Sequence, residues 1–261
     1  MTTTSIFLAA GALILAIVTA VWLLSLILKD ASIMDIFWGA GFVAVAWLYY
    51  RLTPQGFALR QYLLLTLVTL WGLRLSLYIA RRNLGKGEDY RYQAWRQQAG
   101  RSWWWRSYFK VFIFQGILMW VISAPLLAAQ LGGGRPALGW LDFAGALLWL
   151  LGFYFEAVGD WQLSRFKAQP HNQGKLLTSG VWQYTRHPNY FGDAAQWWGF
   201  YLIALANGAW WAWFSPAIMN YLLVRLSGVA LLEKALKVSK PGYAAYMETT
   251  NAFVPRITKK K

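Results

Sequence analysis

The 261-residue chain has no cysteine and only two histidines, His171 and His187. The first absence excludes disulfides, thiol nucleophiles and cysteine-ligated metals. The second leaves too few imidazoles for a histidine-rich metal centre, so no metal site is expected. Acids are scarce as well: ten Asp and Glu stand against 25 Lys and Arg, a net charge of +15. The chain carries neither a Rossmann glycine fingerprint nor a P-loop, so any nucleotide would need a site of another kind. It shows no internal repeat and no low-complexity linker, which makes 1–261 a single integral membrane domain.

What the chain does have is apolar bulk. It is 58% hydrophobic and 18% aromatic, with 18 Trp. Such a composition belongs to integral membrane proteins, in which about 20 apolar residues cross the hydrocarbon core as a helix. Seven spans are expected, at roughly 6–28, 33–50, 60–80, 108–130, 138–163, 190–207 and 210–232, the fifth and seventh running past the membrane surface. The alternation of a membrane barrel is missing, so the predicted fold is all-α and polytopic. The first apolar segment lacks a basic leader and a small-residue cleavage site, and reads as a retained helix.

The charge excess has a direction. With the first loop cytoplasmic, 20 of the 25 basic residues fall on that side, and only Arg51, Arg60 and Arg135 on the other. The positive-inside rule then puts the N-terminus outside and the C-terminus in the cytoplasm. The positive charge therefore speaks for topology and anionic lipid rather than nucleic acid. The Trp103–Trp105 run, and Trp210 and Trp211 with Trp213, read as interfacial belts on opposite faces.

Asp35, Glu156, Asp160, Asp193 and Glu233 lie in or beside spans, toward the cytoplasmic half, with Arg74 and Arg225. Any one of them is as well explained by a basic neighbour or by snorkelling to the interface. Five on one side favour a polar cavity open to the cytoplasm. Helical spacing sharpens the picture: Glu156, Asp160 and Lys167 share one face, Asn189 and Asp193 another, and Trp71, Arg74, Tyr78 and Arg81 a third.

The richest stretch is Arg186-His187-Pro188-Asn189-Tyr190-Phe191-Gly192-Asp193, preceded by a loop expected over 164–188. Pro188 suits the first turn of a helix, where its missing N–H costs nothing. Free N–H groups and the helix dipole attract phosphate there, and Arg186 can add a bidentate fork. Lys167, Lys175 and His187 are close in sequence, while Asn189 and Asp193 offer partners for an amide or a ribose hydroxyl.

This segment, with Gly180-Val181-Trp182 before it and Trp197-Trp198-Gly199 after it, resembles the C-terminal signature of membrane sterol and steroid reductases. The likeness is strongest to bacterial members of the steroid 5α-reductase group. It extends to Glu156 through Gln162, to the Gly87-Glu88-Asp89-Tyr90-Arg91-Tyr92 stretch, and to Tyr243, Tyr246 and Pro255, covering most of 30–256. The resemblance implies a seven-helix fold in a bacterial inner membrane, with NADPH in a cytoplasm-facing cavity and hydride delivered to an electron-poor carbon–carbon double bond. The implied substrate is a lipophilic small molecule, steroid-like or otherwise, taken up by residues 1–130, with 138–256 as the cofactor half. By motif, Glu156, Asp160, Lys167, Arg186, His187, Asn189, Tyr190, Asp193 and Arg225 are the expected cofactor residues. Asp35 stands where the family has a carbonyl-polarising glutamate. Trp71 replaces the family's third-helix tyrosine, leaving Tyr78 as the candidate proton donor and Arg74 as the third candidate catalytic residue.

Two other readings remain open on the same residues. Isoprenylcysteine and phospholipid methyltransferases share an Arg-His-Pro-x-Tyr motif and bind S-adenosylmethionine, but their pattern carries adjacent glutamates where this chain has Glu233 followed by Lys234. A non-enzymatic lipid-binding scaffold is the other reading, since fold alone does not secure activity.

Overall fold

A computed structural model describes residues 1–134, 136–226 and 228–256; Arg135 and Lys259–Lys261, part of the charge count above, lie outside them. The chain is all-helical, with no strand among the described residues. Five helical stretches are long and apolar enough to cross a membrane. They are α1 (Thr3–Leu28), α2 (Ile33–Leu52), α3 (Ala58–Asn83), the run Tyr90–Ala128, and α8 (Trp140–Ala168). The fourth run is built from α4 (Tyr90–Ala99), α5 (Trp103–Ser107), a π-helical turn at Tyr108–Ile113, α6 (Phe114–Ile122) and α7 (Ala124–Ala128).

Beyond α8 the expected spans come out differently. The sixth is α9 (Pro188–Ala206), opened by the proline as its fixed φ favours. The seventh is not one continuous α-helix. A 3₁₀ turn at Trp210–Trp213, α10 (Phe214–Tyr221), a π turn at Leu222–Leu226 and α11 (Val229–Ser239) share that region, followed by α12 (Tyr243–Thr249). The 164–188 loop is also shorter than its sequence suggested, because α8 continues through Ala168. It stops where Gln169 turns extended (φ −91°, ψ 117°) ahead of Pro170, the conformation that a following proline imposes.

The chain divides into two compact units, one of residues 1–139 with 203–212 and one of 140–202 with 213–261. Each rests on helices brought to backbone contact by glycine. In the first unit α2 crosses α3 at Gly39 and Gly72, where a Cβ on Gly39 would meet the Gly72 carbonyl oxygen at 2.3 Å. Trp71, fully buried, packs its ring against Phe42 at that crossing, 5.7 Å between centroids. A buried polar belt caps the far end of α2 and α3. Gln61 donates to the Thr53 and Gln130 carbonyls at 2.8 and 3.0 Å, and Arg60 donates to Asn207 and to the Ala137 carbonyl.

In the second unit the glycines recur every seven residues: Gly145, Gly152 and Gly159 on α8 meet Gly199, Gly192 and the Pro188 ring on α9. A Cβ on Gly192 would sit 2.4 Å from the Gly152 carbonyl oxygen, so no side chain fits while the helices keep this spacing. This close approach puts the polar residues of α8 beside the opening of α9.

Candidate functional site

The first polar cluster belongs to the first unit. Asp35 sits in the first turn of α2, where the helix dipole favours a carboxylate. The Gly87–Tyr92 stretch docks on this turn by several polar contacts. Glu88 Oε1 accepts from the Ala31 N–H at 2.7 Å and is held by the Arg96 guanidinium, and the Asp89 N–H donates to Ser32 Oγ at 3.2 Å. Asp89 caps α4 by accepting the Arg91 N–H and binds the Arg91 Nε at 2.9 Å. Burial works against the charge on Asp89, yet the hydrogen bonds and charge of Arg91 prevail and hold its carboxyl below the usual range.

That scaffold aims three donors inward in series. Tyr92 donates its hydroxyl to Asp35 Oδ1 at 2.7 Å, Gln115 Nε2 donates to the Tyr92 oxygen at 3.2 Å, and Arg91 Nη2 reaches Asp35 Oδ2 at 3.3 Å. The partners that Asp35 gains here are thus Arg91 and Tyr92. Of the other two residues expected with Asp35, Arg74 lies 5.3 Å over the Tyr78 ring on the same helix. Tyr78 is half-buried and also faces Arg82 at 5.8 Å. The phenol on Asp35 is therefore Tyr92. Sequence reasoning quoted Tyr92 without a role, because 57 residues separate it from Asp35 and no local periodicity connects them.

The second cluster lies in the second unit, where α9 opens. Glu156 and Asp160, both buried on α8, reach across to α9: Gln196 Nε2 donates to Glu156, and Asn189 Nδ2 donates to Asp160 Oδ1 at 3.2 Å. Asp193 is buried on α9, and Tyr190 stacks on His187 with centroids 5.7 Å apart. Lys167 in the last turn of α8 and Arg225 in the π turn are both exposed.

Arg186 is the hub. Its Nε and Nη2 both donate to Glu233 Oε1, at 2.9 and 2.6 Å, and its Nη1 donates to the Met247 and Thr250 carbonyls. His187 Nε2 stands 3.3 Å from the same Glu233 oxygen. Burial pushes His187 down to about 4 against the pull of Glu233, so its ring is neutral at pH 7. Tyr243 is buried beside the pair, its pKa raised by burial first and then by the Glu233 charge; its hydroxyl makes no hydrogen bond within normal geometry. The backbone adds to the lacing: the Arg186 N–H donates to the Asn251 carbonyl, the Arg256 N–H to the Tyr184 carbonyl, and Tyr246 Oη to the Trp182 carbonyl. Glu233 and Tyr243 were not among the expected cofactor residues; their distance in sequence from Arg186 gave no signal.

Chemically, the first cluster is a half-buried acid with a phenol and a guanidinium on it, a set that can polarise a carbonyl and supply a proton. The second is a side-on arginine fork already filled by a carboxylate oxygen, flanked by a neutral imidazole and an amide–carboxylate pair. An anionic group suits that fork.

The family described as a protein of unknown function, DUF1295, matches residues 21–250. The chain belongs to this DUF1295 family. An uncharacterized protein of the fission yeast Schizosaccharomyces pombe is 27% identical over 261 residues, covering 90% of this chain and 76% of its own length. A Delta(14)-sterol reductase of the same yeast is 33% identical over 138 residues, 46% of this chain and 30% of the reductase. The DUF1295 chain thus matches under a third of that reductase's length. No solved structure matches.

Proposed function

We propose that this DUF1295 protein is a membrane-embedded, NADPH-dependent reductase of a carbon–carbon double bond in a lipid or steroid-like substrate. The observation that carries the reading is the similarity to a Delta(14)-sterol reductase, which favours reduction among the chemistries suited to the Arg186 site. In this reading the chain crosses the membrane seven times, with its N-terminus outside and its C-terminus cytoplasmic. The protein sits in a bacterial inner membrane and resembles the steroid 5α-reductase group.

NADPH supplies the hydride. The residues suited to hold it are Arg186 for a phosphate, the exposed Lys167 and Arg225 for further negative charge, and the Asp160–Asn189 pair with Glu156 and Asp193 for hydroxyl and amide groups. His187 and Tyr190 present stacked rings at the same helix opening. In the first unit, Asp35 and Tyr92 would polarise a substrate carbonyl conjugated to the double bond, and Tyr92 would give up a proton, the Gln115 N–H stabilising the phenolate oxygen until solvent reprotonates it. Arg91 holds the second oxygen of Asp35 and fixes its orientation. Arg74 and Tyr78 flank the substrate side of α3 in this scheme.

One observation favours a second reading. Glu233 lies on Arg186 and His187, and the methyltransferase pattern carries glutamates at that point in the sequence. S-adenosylmethionine, a cation with a carboxylate, would suit such a mixed site. A thermal-shift comparison of NADPH, NADH and S-adenosylmethionine on the purified protein decides between them. Stabilisation by NADPH is expected; stabilisation by the methyl donor alone overturns the reductase reading, and no response to any of the three favours a scaffold.

A further inference from the structure

The fork of Arg186 is occupied by the chain itself. A guanidinium binds an oxyanion best through Nε and one Nη, the edge that presents two parallel N–H groups. Both of those groups converge on Glu233 Oε1 at 2.9 and 2.6 Å. The opposite nitrogen, Nη1, is committed to two backbone carbonyls and has nothing left for a ligand. The part of Arg186 suited to phosphate is therefore the part that Glu233 covers.

Glu233 also stands at the entrance. Its side chain is 16% exposed, against 6% for Arg186 and 4% for His187, so water reaches the carboxylate before it reaches the groups behind. Beside it lies a second group that a ligand could use, the buried Tyr243 hydroxyl, which feels both Glu233 and Arg186 but makes no hydrogen bond of normal geometry to either. A buried hydroxyl left in that condition costs free energy that an incoming oxyanion recovers. Glu233 is carried by α11, whose other charged residues Lys234 and Lys237 are exposed. Among the described residues, the charge pair that ties this helix to the turn before α9 is Glu233 with Arg186.

Resting on the reading of this turn as an anion site, we propose that Glu233 is an internal plug. A phosphate group of the ligand enters the Nε–Nη2 fork of Arg186 and the Tyr243 hydroxyl by displacing the Glu233 carboxylate, and α11 loses its anchor when it does. Affinity for the ligand is thereby set by competition inside the protein, and removing the competitor strengthens binding. This is opposite in sign to what a residue that merely orients Arg186 would show.

The test uses the full-length protein purified in detergent, with inorganic pyrophosphate and NADPH as separate probes. Calorimetry should give roughly tenfold tighter binding of both to E233Q than to the parent, about 1.4 kcal/mol. E233D, whose carboxylate retreats by one methylene and keeps its charge, should fall in between. It decides the matter if E233Q does not fold. Hydrogen exchange across 229–239 in the parent protein should quicken when pyrophosphate binds. Unchanged or weaker binding to the folded variants overturns the plug, as does exchange that slows or stays the same, or failure of both probes to bind any variant. If pyrophosphate shows the expected pattern and NADPH binds none of the three proteins, the plug stands and the cofactor reading falls.

Discussion

The two polar clusters use the same residue types to different ends. Around Arg186 the arginine is a hub with almost every N–H engaged, tied to α11 and to the 247–251 backbone. Around Asp35 the acid is the hub, and its donors come from one short stretch, Arg91 and Tyr92, with Gln115 behind. Removing a buried hub charge strands its partners, whereas an acid that keeps an isosteric acceptor strands little. The comparison teaches that the Arg186 cluster is bound into the fold and the Asp35 cluster is set on it.

Four changes break or sharpen that contrast. The largest effect belongs to Arg186→Ala, which leaves Glu233 and two carbonyls without their donor; thermal unfolding in detergent should show a loss of about 3–5 kcal/mol. A fall below about 1 kcal/mol would erase the distinction between the clusters. Next comes acid. His187 titrates near 4 when folded and near 6.5 when unfolded. Between those values the unfolded chain binds the extra proton, so stability is complete above pH 6.5 and declines toward pH 4 by at most about 3 kcal/mol. His187→Gln should flatten that slope, and a slope that persists would assign it to another group.

Asp35→Asn keeps an acceptor for the Tyr92 hydroxyl, so stability should stay within about 1 kcal/mol. NADPH oxidation driven by a conjugated lipid enone should drop about 100-fold, a loss on the scale of a positioned proton-transfer group. Unchanged turnover with a working substrate would remove Asp35 from the chemistry. The smallest effect is a choice between phenols: Tyr92→Phe should lower that turnover about tenfold, while Tyr78→Phe should leave it within about twofold. The reverse order would return the proton-donor role to α3.

Much of the fold was legible because apolar runs of membrane-spanning length are their own signal. Four of the five apolar stretches lie close to the expected spans, and in the fourth, Tyr90–Ala128, the expected 108–130 forms only the second half. The seventh expected span was not legible as broken, since hydropathy does not distinguish α from 3₁₀ or π turns. In the site, Pro188 marked the start of α9, and the polar stripes singled out Asp160 and Asn189 without showing that they touch. What sequence could not reveal were pairings set by tertiary contact: Tyr92 to Asp35, and Glu233 to Arg186. Both pairs involve residues from elements with no shared period, and the first is made by the docked Gly87–Tyr92 stretch.

The lacing of 246–256 onto 182–187 has a consequence for how the protein is made. Two backbone hydrogen bonds and two buried side chains of the Trp182–His187 turn find their partners only some 60 to 70 residues later in the chain. A ribosome that has released α9 has therefore delivered an unfinished turn, and its closure waits for segments synthesised seconds afterward. In that interval Trp182, Thr185, Arg186 and His187, buried in the finished molecule, would lie open to a protease.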